Sequence, residues 1–102
     1  MAEIPPLPSF AAPDLWLDDC NVLEFVHWKD EPEPYMAFWW HRATTRESGW
    51  CHGGFQWRRP DPIIDGPLWT LESWDPLTIS PSLLCLSCRS HGFIRAGKWV
   101  AV

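Results

Sequence analysis

The stretch that decides the fold is residues 85–100, which read CLSCRSHGFIRAGKWV. Its first seven residues contain three good ligands for a soft metal, Cys85, Cys88 and His91. A C-x2-C-x2-H spacing lets one tight turn direct two thiolates and an imidazole at a single point, as tetrahedral zinc requires. Apolar residues then stand on both sides of a turn at Gly97, which predicts a C-terminal β-hairpin. The stretch therefore predicts a zinc-knuckle-like turn followed by a hairpin.

Only three ligands are local, so a fourth ligand must come from elsewhere in the chain. Cys51 is the best candidate, because it opens a Cys-His-Gly-Gly run that resembles a degraded second knuckle. His52 is the runner-up and Cys20 is third. If residues 50–57 form a strand, Cys51 and His52 point to opposite faces and at most one of them binds. With three protein ligands alone, the open position could hold a water and support catalysis. A turn with free thiols and a disulfide are the alternatives to zinc.

The composition predicts one folded domain. A chain of 102 residues is near the commonest domain size, and 46% apolar with 21% charged residues is not typical of disorder. Nine tryptophans are far more than a chain of this length usually has. Each can bury a large area and donate one hydrogen bond, so we interpret most of them as core residues. The alternative is an exposed aromatic platform for a ligand or partner.

Charge is unevenly distributed along the chain. The net charge is −5, and residues 1–40 hold one cation and eight anions, whereas residues 41–102 hold seven cations and five anions. Nucleic-acid affinity depends largely on neutralising phosphates, so the acidic half argues against a nucleic-acid partner. A small basic face remains as an alternative, formed by Arg42, Arg46, Arg58 and Arg59.

The N-terminal residues predict a cytoplasmic location. They have neither a basic region nor an apolar core of the kind that a signal peptide needs. No stretch approaches the roughly 20 apolar residues that a membrane-spanning helix needs, so no membrane partner is expected. Clustered cysteines in the cytosol indicate metal binding rather than disulfides.

The chain divides into an extended arm and a β-rich domain. Residues 1–14 contain four prolines and predict a proline-rich arm that lies across the domain formed by residues 15–102. The pattern of apolar residues predicts strands at 20–28, 35–41, 50–57, 68–73 and 77–84, before the C-terminal hairpin. Residues 35–41 are apolar on both faces of their strand, which indicates a central position in the sheet. Gly53-Gly54 predicts a turn or bulge, and Pro81 a break in the strand around it. No helix is expected, and the predicted fold class is mostly β.

A second constellation competes with the metal for His91. A serine of the Ser80-Pro81-Ser82 run and His91 are a potential nucleophile and base, with Glu72 and Asp75 as nearby acids to orient the histidine. A zinc-bound imidazole has no free lone pair to accept the serine proton, so His91 serves zinc or the serine but not both. His27 and His41 each lie next to a tryptophan. A histidine in that context is more often a core or rim residue than a ligand, and we interpret both in that way.

The C-terminal third also resembles a known family. Its pattern consists of Trp69, PLTISPSL at 76–83, Cys88, HGFI at 91–94 and GKW at 97–99. This pattern resembles the BubE-like family of small phage and bacterial proteins, which carry a domain of unknown function and include actinobacterial phage members. The resemblance covers roughly residues 66–102, with a weak extension to Cys51. Some bacterial members lie beside ubiquitin-like conjugation genes and are suspected serine peptidases. The resemblance then implies Ser82 as nucleophile and His91 as base.

Two function classes follow from these residues. The first is a non-enzymatic, metal-stabilised module that binds a host or phage protein, with zinc held by Cys51, Cys85, Cys88 and His91. The second is a Ser/His hydrolase, related to the processing of a ubiquitin-like modifier, with Ser82 and His91 as its catalytic residues. Small size and the lack of a carboxylate-rich cleft motif favour the first. If the protein is phage-encoded, the compartment is the host cytoplasm.

Overall fold

A computed structural model describes residues 4–102 of the chain, and in this part the protein is all β. Eight strands form two antiparallel sheets of four strands each. The first sheet contains β1 (Leu15–Asp18), β2 (Asn21–His27), β3 (Pro34–Arg42) and β4 (Trp50–Gln56). The second contains β5 (Thr70–Trp74), β6 (Leu77–Leu84), β7 (His91–Arg95) and β8 (Lys98–Ala101). Both sheets are simple meanders, with strands paired in chain order.

The first sheet presents two different apolar faces. Because side chains alternate along paired strands, Leu23 and Trp39 share one face, and Val22 and Trp40 share the other. The strand β3 is central and apolar on both faces, as its sequence predicts. This alternation explains why the protein has two separate clusters of buried residues.

The main core lies between the two sheets. The first sheet contributes Trp39 and Phe55, and the second contributes Ile79 and Ile94, all of them 3% exposed or less. The smaller cluster lies on the outer face of the first sheet, where Val22, Trp40 and Trp50 are buried. Leu7 and Ala11 of the N-terminal segment pack against this second cluster. The N-terminal segment therefore covers an aromatic surface that would otherwise face solvent.

The predicted mostly β fold is confirmed, including the C-terminal hairpin with Gly97 at positive φ. The prediction of a turn or bulge at Gly53-Gly54 is wrong, because β4 pairs with β3 through both glycines without a register shift. Gly54 instead makes room for Met36, whose Cε would lie 2.9 Å from an added Cβ. Around Pro81 the strand β6 continues, but its pairing with β7 shifts register between Ile79 and Leu83.

The first strand and the segment before it lack a clear alternation of apolar and polar residues. The sequence does not predict β1, because four residues between Pro13 and an acidic pair give too short an alternation to read. Residues 4–14 contain no strand or helix, while residues 1–3 of the predicted arm lie outside the described residues. Between residues 4 and 102 no helix is long and apolar enough to cross a membrane.

Candidate metal centre

The turn between β6 and β7 presents two cysteine thiols to the same point. The Arg89 N–H donates to the Cys85 carbonyl over 2.7 Å, and the Cys85 N–H donates to the Ser90 carbonyl over 2.8 Å. Arg89 has a φ of 69°, which lets the chain turn back directly after Cys88. These contacts close the local loop that the C-x2-C spacing predicts. Cys85 and Cys88 are both half-buried there.

The first sheet brings two further ligand-type side chains to this turn. His41 on β3 and Cys51 on β4 are directly paired across the two strands. Both lie on the face toward the core and are buried, with exposed fractions of 1% and 5%. His52, the next residue, points to the opposite face and stacks on Trp40 at 4.5 Å between ring centroids. As strand geometry requires, only one residue of the Cys51-His52 pair points toward the core.

Together these elements form a Cys3His cluster. One ligand atom from each of His41, Cys51, Cys85 and Cys88 lies within 4.8 Å of the other three. The Cys51 and Cys85 sulfurs are 3.7 Å apart, and His41 Nε2 is 3.1 Å from the Cys88 sulfur. In a tetrahedron with Zn–S near 2.3 Å and Zn–N near 2.0 Å, ligand atoms are about 3.5–3.8 Å apart. All four cysteines of the chain are free, and the cluster is compatible with a metal such as zinc.

The His41 ring is held in the orientation that a metal ligand needs. Its Nδ1 lies 3.2 Å from the Trp39 carbonyl, and the ring stacks on the Trp39 indole at 3.9 Å between centroids. A proton on Nδ1 donated to this carbonyl leaves the Nε2 lone pair facing the thiols. Burial lowers the pKa of His41 to about 4, so the imidazole is neutral at pH 7. A neutral imidazole is the form that binds metal.

The thiols lie in unequal surroundings. Burial raises the pKa of Cys51, and its closeness to Cys85 raises that pKa further. Burial also acts to raise the pKa of Cys88, but hydrogen bonds with Ser90, Cys85 and Cys51 together outweigh it and lower that pKa. Arg46 places its guanidinium 3.7 Å from the Cys51 sulfur and also donates to Ser87. Three thiolates around a divalent cation carry one net negative charge, which Arg46 is placed to offset.

The structure separates His91 from the cluster. His91 is the first residue of β7, where it shares a face with Phe93 rather than with the core residue Ile94. Its Nε2 lies 2.9 Å from Ser82 Oγ. The three cysteines of the predicted metal site therefore lie together with His41. His91 lies beside Ser82, the serine of the hydrolase hypothesis.

The surroundings of Ser82 and His91 contain less than a full triad. Glu72 accepts a hydrogen bond from Ser80 Oγ over 3.0 Å, so this acid orients another serine. Within residues 4–102, no carboxylate is hydrogen-bonded to His91. Cys20, the third candidate for the fourth ligand, is outside the Cys3His cluster, and burial raises its pKa.

Sequence reasoning missed His41 as a cluster member, although a signal for it exists. The β3–β4 pair is a hairpin, and pairing places His41 opposite Cys51. Two metal-ligand residues directly opposite each other on the same face of a hairpin are close enough to share one ion. That signal depends on the register between β3 and β4. The loop that connects the two strands is long enough to allow several registers, so the sequence alone does not determine which one forms.

Comparison with known proteins adds no relative. No protein-family model, no curated protein and no solved structure matches this chain. The resemblance of residues 66–102 to the BubE-like family therefore stays a prediction from the motif.

Proposed function

We propose that this protein is a small zinc-stabilised module that acts by binding another protein. The observation that carries the proposal is the Cys3His cluster formed by His41, Cys51, Cys85 and Cys88. Four protein ligands of this type are typical of structural zinc, which keeps no open position for water or substrate. The composition of the cluster thus favours a structural over a catalytic metal.

The position of the cluster gives the metal a structural task. His41 and Cys51 belong to the first sheet, whereas Cys85 and Cys88 belong to the turn between two strands of the second. A metal bound to all four residues would cross-link the two sheets at one end of the core. The described part of the chain has no helix and no disulfide to do so. Because metal binding contributes directly to folding free energy, such a cross-link would stabilise a chain of this size.

The protein-binding part of the proposal is supported by the surface. Several large apolar side chains are at least half exposed or nearly so, including Phe10 at 75%, Trp16 at 50%, Trp74 at 49% and Leu86 at 77%. Exposed aromatic side chains are enriched at the centres of protein–protein interfaces. The acidic N-terminal half favours a partner with a basic surface over nucleic acid.

Metal analysis of two histidine variants tests the proposal. We expect the purified wild-type chain to contain about one zinc per molecule, as measured by inductively coupled plasma mass spectrometry. His41→Ala removes a ligand and should bring this ratio well below one, whereas His91→Ala is the matched control and should keep it. Wild-type protein without zinc, or zinc lost from His91→Ala and kept by His41→Ala, would contradict the proposal.

A hydrolase is the second candidate, and the 2.9 Å contact between Ser82 Oγ and His91 Nε2 is the observation that favours it. A histidine at this distance can accept the serine proton when the hydroxyl attacks a carbonyl. His91 is also outside the Cys3His cluster, so the metal does not compete for its lone pair. A fluorophosphonate probe that labels the wild-type chain but not Ser82→Ala would support this candidate. Equal labelling of both proteins, or none of either, would exclude it.

A further inference from the structure

The N-terminal segment has the sequence of a polyproline II ligand. Every residue from Ile4 to Pro8 is a proline or directly precedes one. Proline fixes its own φ, and it restricts the preceding residue to extended backbone. A sequence of this kind favours the polyproline II helix, which loses little entropy when it binds an aromatic groove.

This segment lies on an aromatic groove of the same chain. The Trp50 indole N–H donates to the Pro5 carbonyl over 2.9 Å. An added Cβ at Gly49 would lie 2.5 Å from Pro5 Cγ, so a glycine beside the tryptophan is what lets the proline ring approach. The Trp16 ring meets Trp50 edge to face at 6.3 Å between centroids and forms the second wall. An indole that donates to a proline-segment carbonyl between aromatic walls is a common way to recognise polyproline II peptides.

Few hydrogen bonds connect the segment to the sheets. Among the described hydrogen bonds, residues 4–10 make one to the sheets, the bond from Trp50 to Pro5. Ile4 is 44% exposed and Phe10 is 75% exposed, so much of the segment faces solvent. A cleft of about 600 Å³ remains between the segment and the Trp16–Trp50 walls. Leu7 packs against the outer cluster, but none of residues 4–10 is fully buried. A segment with this degree of exposure opens at a lower free-energy cost than the buried strands do.

We propose that the Trp16–Trp50 groove is a binding site for a proline-rich segment of another protein, and that the chain's own residues 4–8 occupy it as a competing ligand. The inference deepens the proposed protein-binding function, on which it rests, because it names the class of partner. Asp19 lines the cleft, whereas the Arg42 guanidinium lies 5.9 Å from the centre of the Trp50 ring. The favoured partner segment therefore carries one lysine or arginine placed to meet Asp19, away from Arg42.

Competition within the chain makes a specific prediction. An external segment can bind only while residues 4–8 are out of the groove. Its apparent affinity is therefore reduced in proportion to the fraction of molecules in which the groove is open. The double variant Pro5→Gly/Pro6→Gly removes the backbone restriction of the segment and leaves the groove walls unchanged. Its affinity for an external proline-rich peptide should exceed that of the wild-type chain by about threefold or more.

The probe is a fluorescein-labelled synthetic peptide that copies residues 4–13 and carries one arginine at its N-terminus. Its binding to the full chain is measured by fluorescence polarisation, with a peptide that has alanine in place of every proline as the control. In the Pro5→Gly/Pro6→Gly chain, whose own segment competes less, Trp50→Phe removes the N–H donor and should weaken binding about three- to tenfold, the range expected for one hydrogen bond. The other tryptophan substitutions are tested in the same background. In the nitrogen–proton NMR spectrum, the indole resonance that this substitution removes should shift when the peptide is added to the wild-type chain.

A second variant keeps the test independent of folding. Trp16 is half exposed, so Trp16→Ser should lower peptide affinity without loss of fold, whereas Trp74→Ser is the matched control. Trp74 is equally exposed but contacts Phe25 and Trp57, and its substitution should leave peptide affinity unchanged.

The proposal is overturned if the Pro5→Gly/Pro6→Gly variant binds the probe no better than the alanine peptide, or if Trp74→Ser weakens binding as much as Trp16→Ser. A concentration-dependent dimer of this double variant without peptide would also overturn it, because a second copy would then be the occupant. Zinc content is measured on the same samples. Failure of peptide binding with zinc intact rejects the groove alone, whereas absence of zinc rejects the metal-stabilised module.

Discussion

Removal of the proposed metal is the perturbation that tests the architecture most directly. The four ligand-type side chains come from both sheets, so we expect the loss of a bound ion to loosen the contact between the sheets. The buried thiols and the imidazole would then lie next to each other without an ion to bind them together. The expected result is a lower melting temperature of the whole domain, not a local change at one loop.

The size of this effect follows from linkage. A ligand that binds only the folded state adds about 4 kcal/mol when its free concentration is 1,000 times the dissociation constant. In a domain of about 100 residues, 1 kcal/mol corresponds to roughly 4–8 °C in melting temperature. A strong zinc chelator should therefore lower the melting temperature by roughly 15–30 °C.

Circular dichroism melts with and without chelator provide the assay, and two cysteine variants provide the comparison. Cys51→Ser removes a buried cluster thiol, so its melting temperature should be low and should respond little to chelator. Cys20→Ser changes a cysteine outside the cluster and should respond to chelator as the wild type does. A wild-type melting temperature that chelator leaves unchanged, or an equal response from Cys51→Ser and the wild type, would refute the reasoning.

Three further predictions concern protonation and packing. Burial lowers the pKa of His41 from 6.5 to about 4, so the unfolded chain takes up a proton at this site between those values while the folded chain does not. The metal-free protein should therefore lose stability as the pH falls from 6.5 to about 4. In thermal melts with chelator, His41→Gln should lose less stability over this pH range than the wild type, and equal losses would reject the role of His41. Gly92→Ala would place a methyl carbon against Cζ2 of the Trp99 ring and 2.6 Å from its Cε2, and it should cost about 1–3 kcal/mol in denaturant unfolding. Ile94→Ala, at a site only 1% exposed between the sheets, should cost about 2–5 kcal/mol in the same assay; a cost below 1 kcal/mol would show that the sheets do not pack there.

Local sequence signals determined much of the fold. The strand β6, Leu77–Leu84, has the bounds that its sequence predicts, and β3 is central because its apolar residues occupy both faces. The hairpin turn at Gly97 follows from a residue that readily adopts positive φ. These features depend on neighbours within a few residues, where sequence spacing and spatial distance are closely related.

Gly53-Gly54 shows where local rules fail. Two glycines in succession usually indicate a turn, yet here they continue β4 across from β3. The reason is tertiary, since Gly54 gives space to the Met36 side chain on the neighbouring strand. A missing side chain can therefore mark a close neighbour as well as a flexible backbone.

The C-x2-C spacing by itself determined that Cys85 and Cys88 share one turn, because four consecutive residues leave little conformational freedom. Strand alternation also determined that Cys51 and His52 point to opposite faces. Only the tertiary structure decided that His41, 44 residues before Cys85, completes the cluster and that His91 lies beside Ser82 instead. The physical reason is that strand register and sheet packing set the distance between remote side chains, and both depend on the whole core rather than on any one segment.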